Sequence, residues 1–117
     1  MSSDKRIEMV KKLLQKTNKG VIGWEDTSDE NKFQAMISNH IIQVSLEDEK
    51  GKPLGVQIDI LNNKGEIIDN FICKENAGSI YRDTFYPMFE KARGYARGTE
   101  QALDEILNVL NDDDVPF

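Results

Sequence analysis

With one cysteine and one histidine among 117 residues, this chain lacks the raw material for several kinds of chemistry. Cys73 has no second thiol, which excludes an internal disulfide, and Cys73 with His40 alone cannot assemble a zinc site. No apolar run approaches the roughly 20 residues that span a bilayer. The opening Met1-Ser2-Ser3-Asp4-Lys5 leads into an amphipathic pattern and not into an apolar signal core, so a cytoplasmic protein with no membrane contact is expected. There is no Gly-x-Ser-x-Gly, no phosphate loop and no dinucleotide fingerprint, and Gly20-Val21-Ile22-Gly23 is too short and too apolar to act as one. His40 falls in a turn or at a strand start. No catalytic residue, metal ligand set or cofactor is expected, and the chain reads as a non-enzyme.

What the chain does have is one strong hairpin signal, from Leu54 to Cys73. Leu54, Val56, Ile58 and Ile60 fall on one face and Gln57 and Asp59 on the other, the alternation of a half-buried antiparallel strand. Asn62-Asn63-Lys64-Gly65 supplies the turn, and Gly65 suits the left-handed position that closes a three-residue loop of Asn63, Lys64 and Gly65. This register sets Asn62 opposite Glu66, Ile60 opposite Ile68 and Asp59 opposite Asp69. Two opposed carboxylates repel, so the pair marks either a weak cation site or a register displaced by one or two residues.

Around the hairpin the other elements fall into order. From Ser3 or Asp4, residues Ile7, Val10, Leu13 and Leu14 share one side of a helix, and Gly20 stands just past its end as a left-handed stop. Val21 to Trp24 is a short strand or an extended link, with Trp24 anchored in the core, and Asp26 to Asn31 is a polar loop. Phe33, Ala35 and Ile37 alternate with polar neighbours, Ser38-Asn39 turns the chain, and Ile42, Val44 and Leu46 begin a further strand. Tyr81, Phe85, Met88, Ala92 and Tyr95 then repeat at helical spacing, with a break expected near Asp83 to Tyr86 because of Pro87. Gly98 closes that helix and Thr99 caps a last one carrying Leu103, Ile106, Leu107 and Leu110. The expected fold is α+β: an N-terminal helix, a four-stranded antiparallel meander and two C-terminal helices packed on one face of the sheet. Residues 1–111 form one domain.

The formal charge of −6 is unevenly spread. Six bases against two acids leave residues 1–20 at +4, and four against two leave residues 82–97 at +2. A strip made of Lys11, Lys12, Lys16, Arg93 and Arg97 is therefore the candidate surface for single-stranded DNA. Without Asp112, Asp113 and Asp114 the body is still at −3, so affinity for DNA has to come from that local patch and falls steeply with salt.

The most specific signal is the last six residues, Asp112-Asp113-Asp114-Val115-Pro116-Phe117, a flexible acidic tip ending on a carboxylate-bearing phenylalanine. Pro116 biases Val115 towards an extended conformation, Phe117 offers an aromatic anchor, and the aspartates steer the segment to a basic pocket. These six residues resemble the C-terminal tip of bacterial single-stranded DNA-binding proteins. The resemblance implies recruitment of replication, recombination or repair proteins, and a tip that folds back on its own basic surface in competition with DNA. Only the tip is carried over, because four consecutive strands flanked by helices do not read as that family's five-stranded barrel. The expectation is a small bacterial or phage protein of DNA metabolism that binds single-stranded DNA and presents the tip to partners. The alternative is a protein-binding module, such as a phage or mobile-element interaction or anti-defence protein, that mimics the tip without touching DNA. Homo-oligomerisation is left open.

Overall fold

An apolar sheet face has to be covered, and the chain covers it with helices drawn from both of its ends. The computed structural model describes residues 2–112. Helix α1 (Ser2–Asn18) precedes five strands: β1 (Glu25–Asp26), β2 (Lys32–Ile37), β3 (His40–Glu49), β4 (Lys52–Leu61) and β5 (Ile67–Lys74). They form one antiparallel sheet in chain order, and α2 (Tyr86–Ala96) and α3 (Thr99–Leu110) follow. The expected α+β architecture is present with one strand more than the four expected. Strand β1 consists of two exposed acidic residues that pair Glu25 with Gln34 and Asp26 with Phe33. Two polar residues carry no period-two alternation, so they read as link and loop.

Register follows from the turns. Ser38 (φ 58°) turns β2 into β3, and Lys50 (φ 53°) with Gly51 (φ 81°) gives the pair of left-handed residues that a tight hairpin between β3 and β4 requires. Between β4 and β5, Gly65 at φ 83° closes the loop as expected, and Asn62 Oδ1 accepts the N–H groups of Lys64 at 2.9 Å and Glu66 at 3.0 Å. The pairing follows the expected register as far as Leu61 and Ile67 and differs from it beyond that pair. Leu61 faces Ile67 and Ile60 faces Asp69, with Ile68 left over as a bulge. Asp59 therefore opposes Asn70, not Asp69, and the two carboxylates lie on opposite faces of the sheet. Of the two explanations for the apparent Asp59/Asp69 pair, displaced register is the correct one. No group of three metal-ligating side chains occurs among the described residues.

One sheet face carries Phe33, Ala35, Ile42, Val44, Val56, Ile58 and Cys73, all buried against Val10 and Leu13 of α1 and Met88, Phe89 and Ala92 of α2. Phe33 and Phe89 join the two layers with ring centroids 5.7 Å apart. Trp24 is buried where the chain enters the sheet, and its indole N–H donates to Thr17 Oγ1 at 3.0 Å, which satisfies both polar groups. The break expected near Asp83 to Tyr86 falls between Phe85 and Tyr86, as a change of helix type and not as a gap in the helix. Tyr81–Phe85 forms a π-helical turn running straight into α2, whose first turn holds Pro87. A proline ring crowds the carbonyl four residues earlier in a regular helix, and here that carbonyl belongs to the widened turn.

Gly55 lies where the neighbouring strand leaves no room for a side chain. A Cβ there would lie 2.4 Å from the carbonyl oxygen of Cys73 and 2.9 Å from Lys74 Cα. Both obstacles are backbone, so neither can swing away. Gly55→Ala is expected to lower stability by about 1–3 kcal/mol, the range of overpacking in a tight interior, read as a lower urea midpoint. Gly51→Ala, where no atom lies within 4 Å of the added carbon, costs only its left-handed φ and should lose less.

Candidate functional site

The features that bear on function are the last helix, the basic residues and a groove beside β5. Gly98, at φ 75°, ends α2 and is the residue from which α3 starts, with Ala102 N–H donating to Gly98 O at 3.0 Å. Thr99 is the first residue of α3 and no side-chain cap forms there, contrary to the capping role expected of it. The apolar spacing of α3 is that of a core-facing helix. Yet Leu103 is 51% exposed, and Ile106, Leu107 and Leu110 are each 54% exposed. Helix α2 covers the sheet; α3 packs beside α2, and residues 101–110 remain exposed. A helix of this length is marginal in water by itself, and covering the open half of each large side chain would contribute roughly 1 kcal/mol.

Charge singles out the same segment. Residues 1–98 carry fifteen bases and fifteen acids, and residues 99–117 carry six acids and no base, so the whole net charge of −6 lies after Gly98. Counting the three terminal aspartates separately from Glu100, Asp104 and Glu105 hides this. The signal that marks the arm as one unit is therefore legible in the sequence, as a change of composition at Gly98. Asp112 is exposed, and Asp113, Asp114, Val115, Pro116 and Phe117 of the expected tip lie outside the described residues.

The five bases of the expected strip sit in two settings. Lys11, Lys12 and Lys16 are exposed on α1, where Lys12 Nζ comes within 4.0 Å of Glu8. Arg93 and Arg97 are engaged by the protein itself. The Arg93 guanidinium lies 5.4 Å from the Phe89 ring centre and 3.4 Å from Glu90, while that of Arg97 lies 5.3 Å from Phe33. Arg97 also donates to the Glu30 carbonyl at 2.8 Å and approaches Asp26 at 4.0 Å, pinning the β1 loop to α2. Lys11 and Lys12 line one surface depression, Arg93 and Arg97 line another, and the two share no residue.

Beside β5 a groove of about 270 Å³ runs between α1 and the sheet edge, lined chiefly by Ile7, Phe71, Ile72, Ile80 and Phe85. Arg6 and Lys74 stand at it. Arg6 is fixed from two sides: it donates from Nε and Nη2 to the two oxygens of Asp69, and its guanidinium lies 4.9 Å from the Phe71 ring centre. The partners are 63 residues apart, a separation no local pattern reveals. Burial pushes the Cys73 thiol at this groove above its usual range. On the opposite, open face Asp59 is buried, accepting from Gln57 Nε2 at 2.9 Å with Lys32 Nζ 3.8 Å away. That carboxylate is satisfied within the sheet. Comparison with protein-family models, with curated proteins and with solved structures finds no match.

The hydrogen bonds and charge of Arg6 hold the Asp69 carboxyl below its usual range. A depressed folded-state pKa gives stability that is complete above the unfolded carboxylate value of about 3.9 and disappears as pH falls through the folded one. Asp69→Asn is therefore expected to be less stable than the parent at pH 7, with the gap closing as pH drops below about 4. Urea midpoints of both proteins across that range check it, and a gap that widens in acid contradicts it.

Proposed function

We propose that the protein is a small non-enzymatic module of DNA metabolism whose acidic C-terminal arm docks on replication, recombination or repair proteins. The arm is α3 together with the Asp112–Phe117 tip. The observation that carries this reading is the coincidence, after Gly98, of all the net charge with a helix whose apolar stripe is exposed. Acidic residues raise the encounter rate with a basic site, and the aromatic and aliphatic side chains supply the contact that holds it. The order Asp-Asp-Asp-Val-Pro-Phe resembles the C-terminal tip of bacterial single-stranded DNA-binding proteins, which supports this reading.

Direct binding of single-stranded DNA is the second reading, favoured by the exposed lysines on α1. Arg93 and Arg97 add little to it, because each already stacks on a ring and neighbours a carboxylate. Mimicry of the tip without DNA contact is the form of the proposal that the geometry supports best.

A purified repair exonuclease that binds the bacterial tip, carrying a fluorescent tip peptide, separates these readings. The full-length protein is expected to displace the peptide, and Phe117→Ala to do so at least tenfold less well, as loss of an aromatic anchor entails. No displacement by the full-length protein would overturn the docking reading. Labelled single-stranded DNA is titrated in parallel at two salt concentrations. Binding that is lost in a Lys11→Glu/Lys12→Glu variant and tightened by removing residues 112–117 would establish the DNA reading in place of pure mimicry.

A further inference from the structure

Helix α3 has an apolar stripe that no described residue covers, with acids and no base along the helix and Asp104 exposed beside Leu103 and Leu107. The complement of such a helix is an apolar groove with a basic margin. The molecule carries one. The groove between α1 and β5 is walled by Ile7, Phe71, Ile72 and Ile80. Ile7 also lines the adjoining depression, together with Lys11 and Lys12. The apolar surface therefore continues across α1 into exposed lysines. Within one molecule the two halves of this match are not joined, since α3 packs beside α2 with its stripe exposed.

The geometry points to a second copy of this chain as the occupant: α3 of each copy lies in the α1/β5 groove of the other, forming a reciprocal two-fold dimer. Leu103 and Leu107 then cover Ile7 and Ile80, and Asp104 faces Lys11 and Lys12. Charge disfavours the simpler pairing of α3 with its own copy, since the helix carries Glu100, Asp104 and Glu105 and no base to set against them. Charge also decides between the apolar surfaces on offer. Met36, Ile41 and Ile67, the apolar residues that reach the surface along one row of the open face, have no base among them. A two-fold exchange is self-complementary and closes at two copies. This inference rests on the helix and the groove and not on the tip, and a partner that takes the α3 stripe competes with the second copy for it.

Sedimentation equilibrium of the full-length protein tests it. The parent is expected to be a dimer whose dissociation constant rises at least tenfold as salt increases from about 0.05 to about 0.5 M, the range over which exposed charges become screened. Lys11→Glu/Lys12→Glu and Asp104→Lys should each weaken the dimer by at least tenfold. An equimolar mixture of these two variants should restore it, because each groove in the mixed dimer then meets a helix of opposite sign. Leu103→Glu/Leu107→Glu should be monomeric at every salt concentration. All the substituted side chains are exposed, and unchanged circular dichroism confirms that folding is intact. A parent that stays monomeric at the highest soluble concentration overturns the proposal. So does a mixture that fails to re-form the dimer, or a Leu103→Glu/Leu107→Glu protein that dimerises like the parent.

Discussion

The sheet has one apolar face, and the need to keep water off it determines where α1 and α2 lie. Phe33 against Phe89 and Phe71 against Phe85 are the aromatic contacts through which that face meets the helical layer, at 5.7 and 6.3 Å between ring centres. Val10, Met88 and Ala92 close the space around them with no exposed surface. Once these two helices are seated, the face is used up. A third amphipathic helix in the same chain has nowhere on it to go, and α3 is that helix. The exposure of its leucines is thus a consequence of how completely α1 and α2 do the covering.

The same core explains why two arginines that look available for DNA are not. Arg93 and Arg97 follow each other one turn apart on the last part of α2, and each lays its guanidinium on a ring of the Phe33–Phe89 pair. Stacking over a core aromatic and bonding to neighbouring acceptors turns a surface cation into part of the packing. Among the described residues Lys11, Lys12 and Lys16 of α1 lie against no aromatic ring and are exposed. Clustering in sequence thus put five bases in one class, and their surroundings divide them into two.

Much of the architecture was legible because it rests on local signals. The alternation of Val56, Ile58 and Ile60, the left-handed glycines at 20, 65 and 98, and the helical spacing from Tyr81 to Tyr95 each reflect a backbone period or a single dihedral requirement. Strand β1 was not legible, since Glu25 and Asp26 gain their partner only through the position of β2. The register of the hairpin was right as far as Ile67 and wrong past it, because a bulge is invisible to an argument that counts opposite residues outward from the turn. Periodicity identified α3 as amphipathic. It says that one face is apolar, not what covers that face, and the structure supplied the second fact. The bond from Arg6 to Asp69 was out of reach for the same reason as β1: nothing local joins positions 63 residues apart. The tip is the reverse case, a stretch whose residue order carries more information than its local shape.

The bulge at Ile68 does more than move the register. Strand β5 is an edge of the sheet, eight residues long, with Ile67, Ile68 and Ile72 showing substantial apolar surface. A flat edge of that composition invites a stranger's strand to continue the ladder. The extra residue kinks the edge, and the ion pair of Asp69 with Arg6 holds charge where an incoming chain would have to lie. A protein that keeps a sticky helix in water for the sake of chosen contacts is in this way guarded against unchosen ones, and the guard against fibrous stacking is one isoleucine that fits no pair.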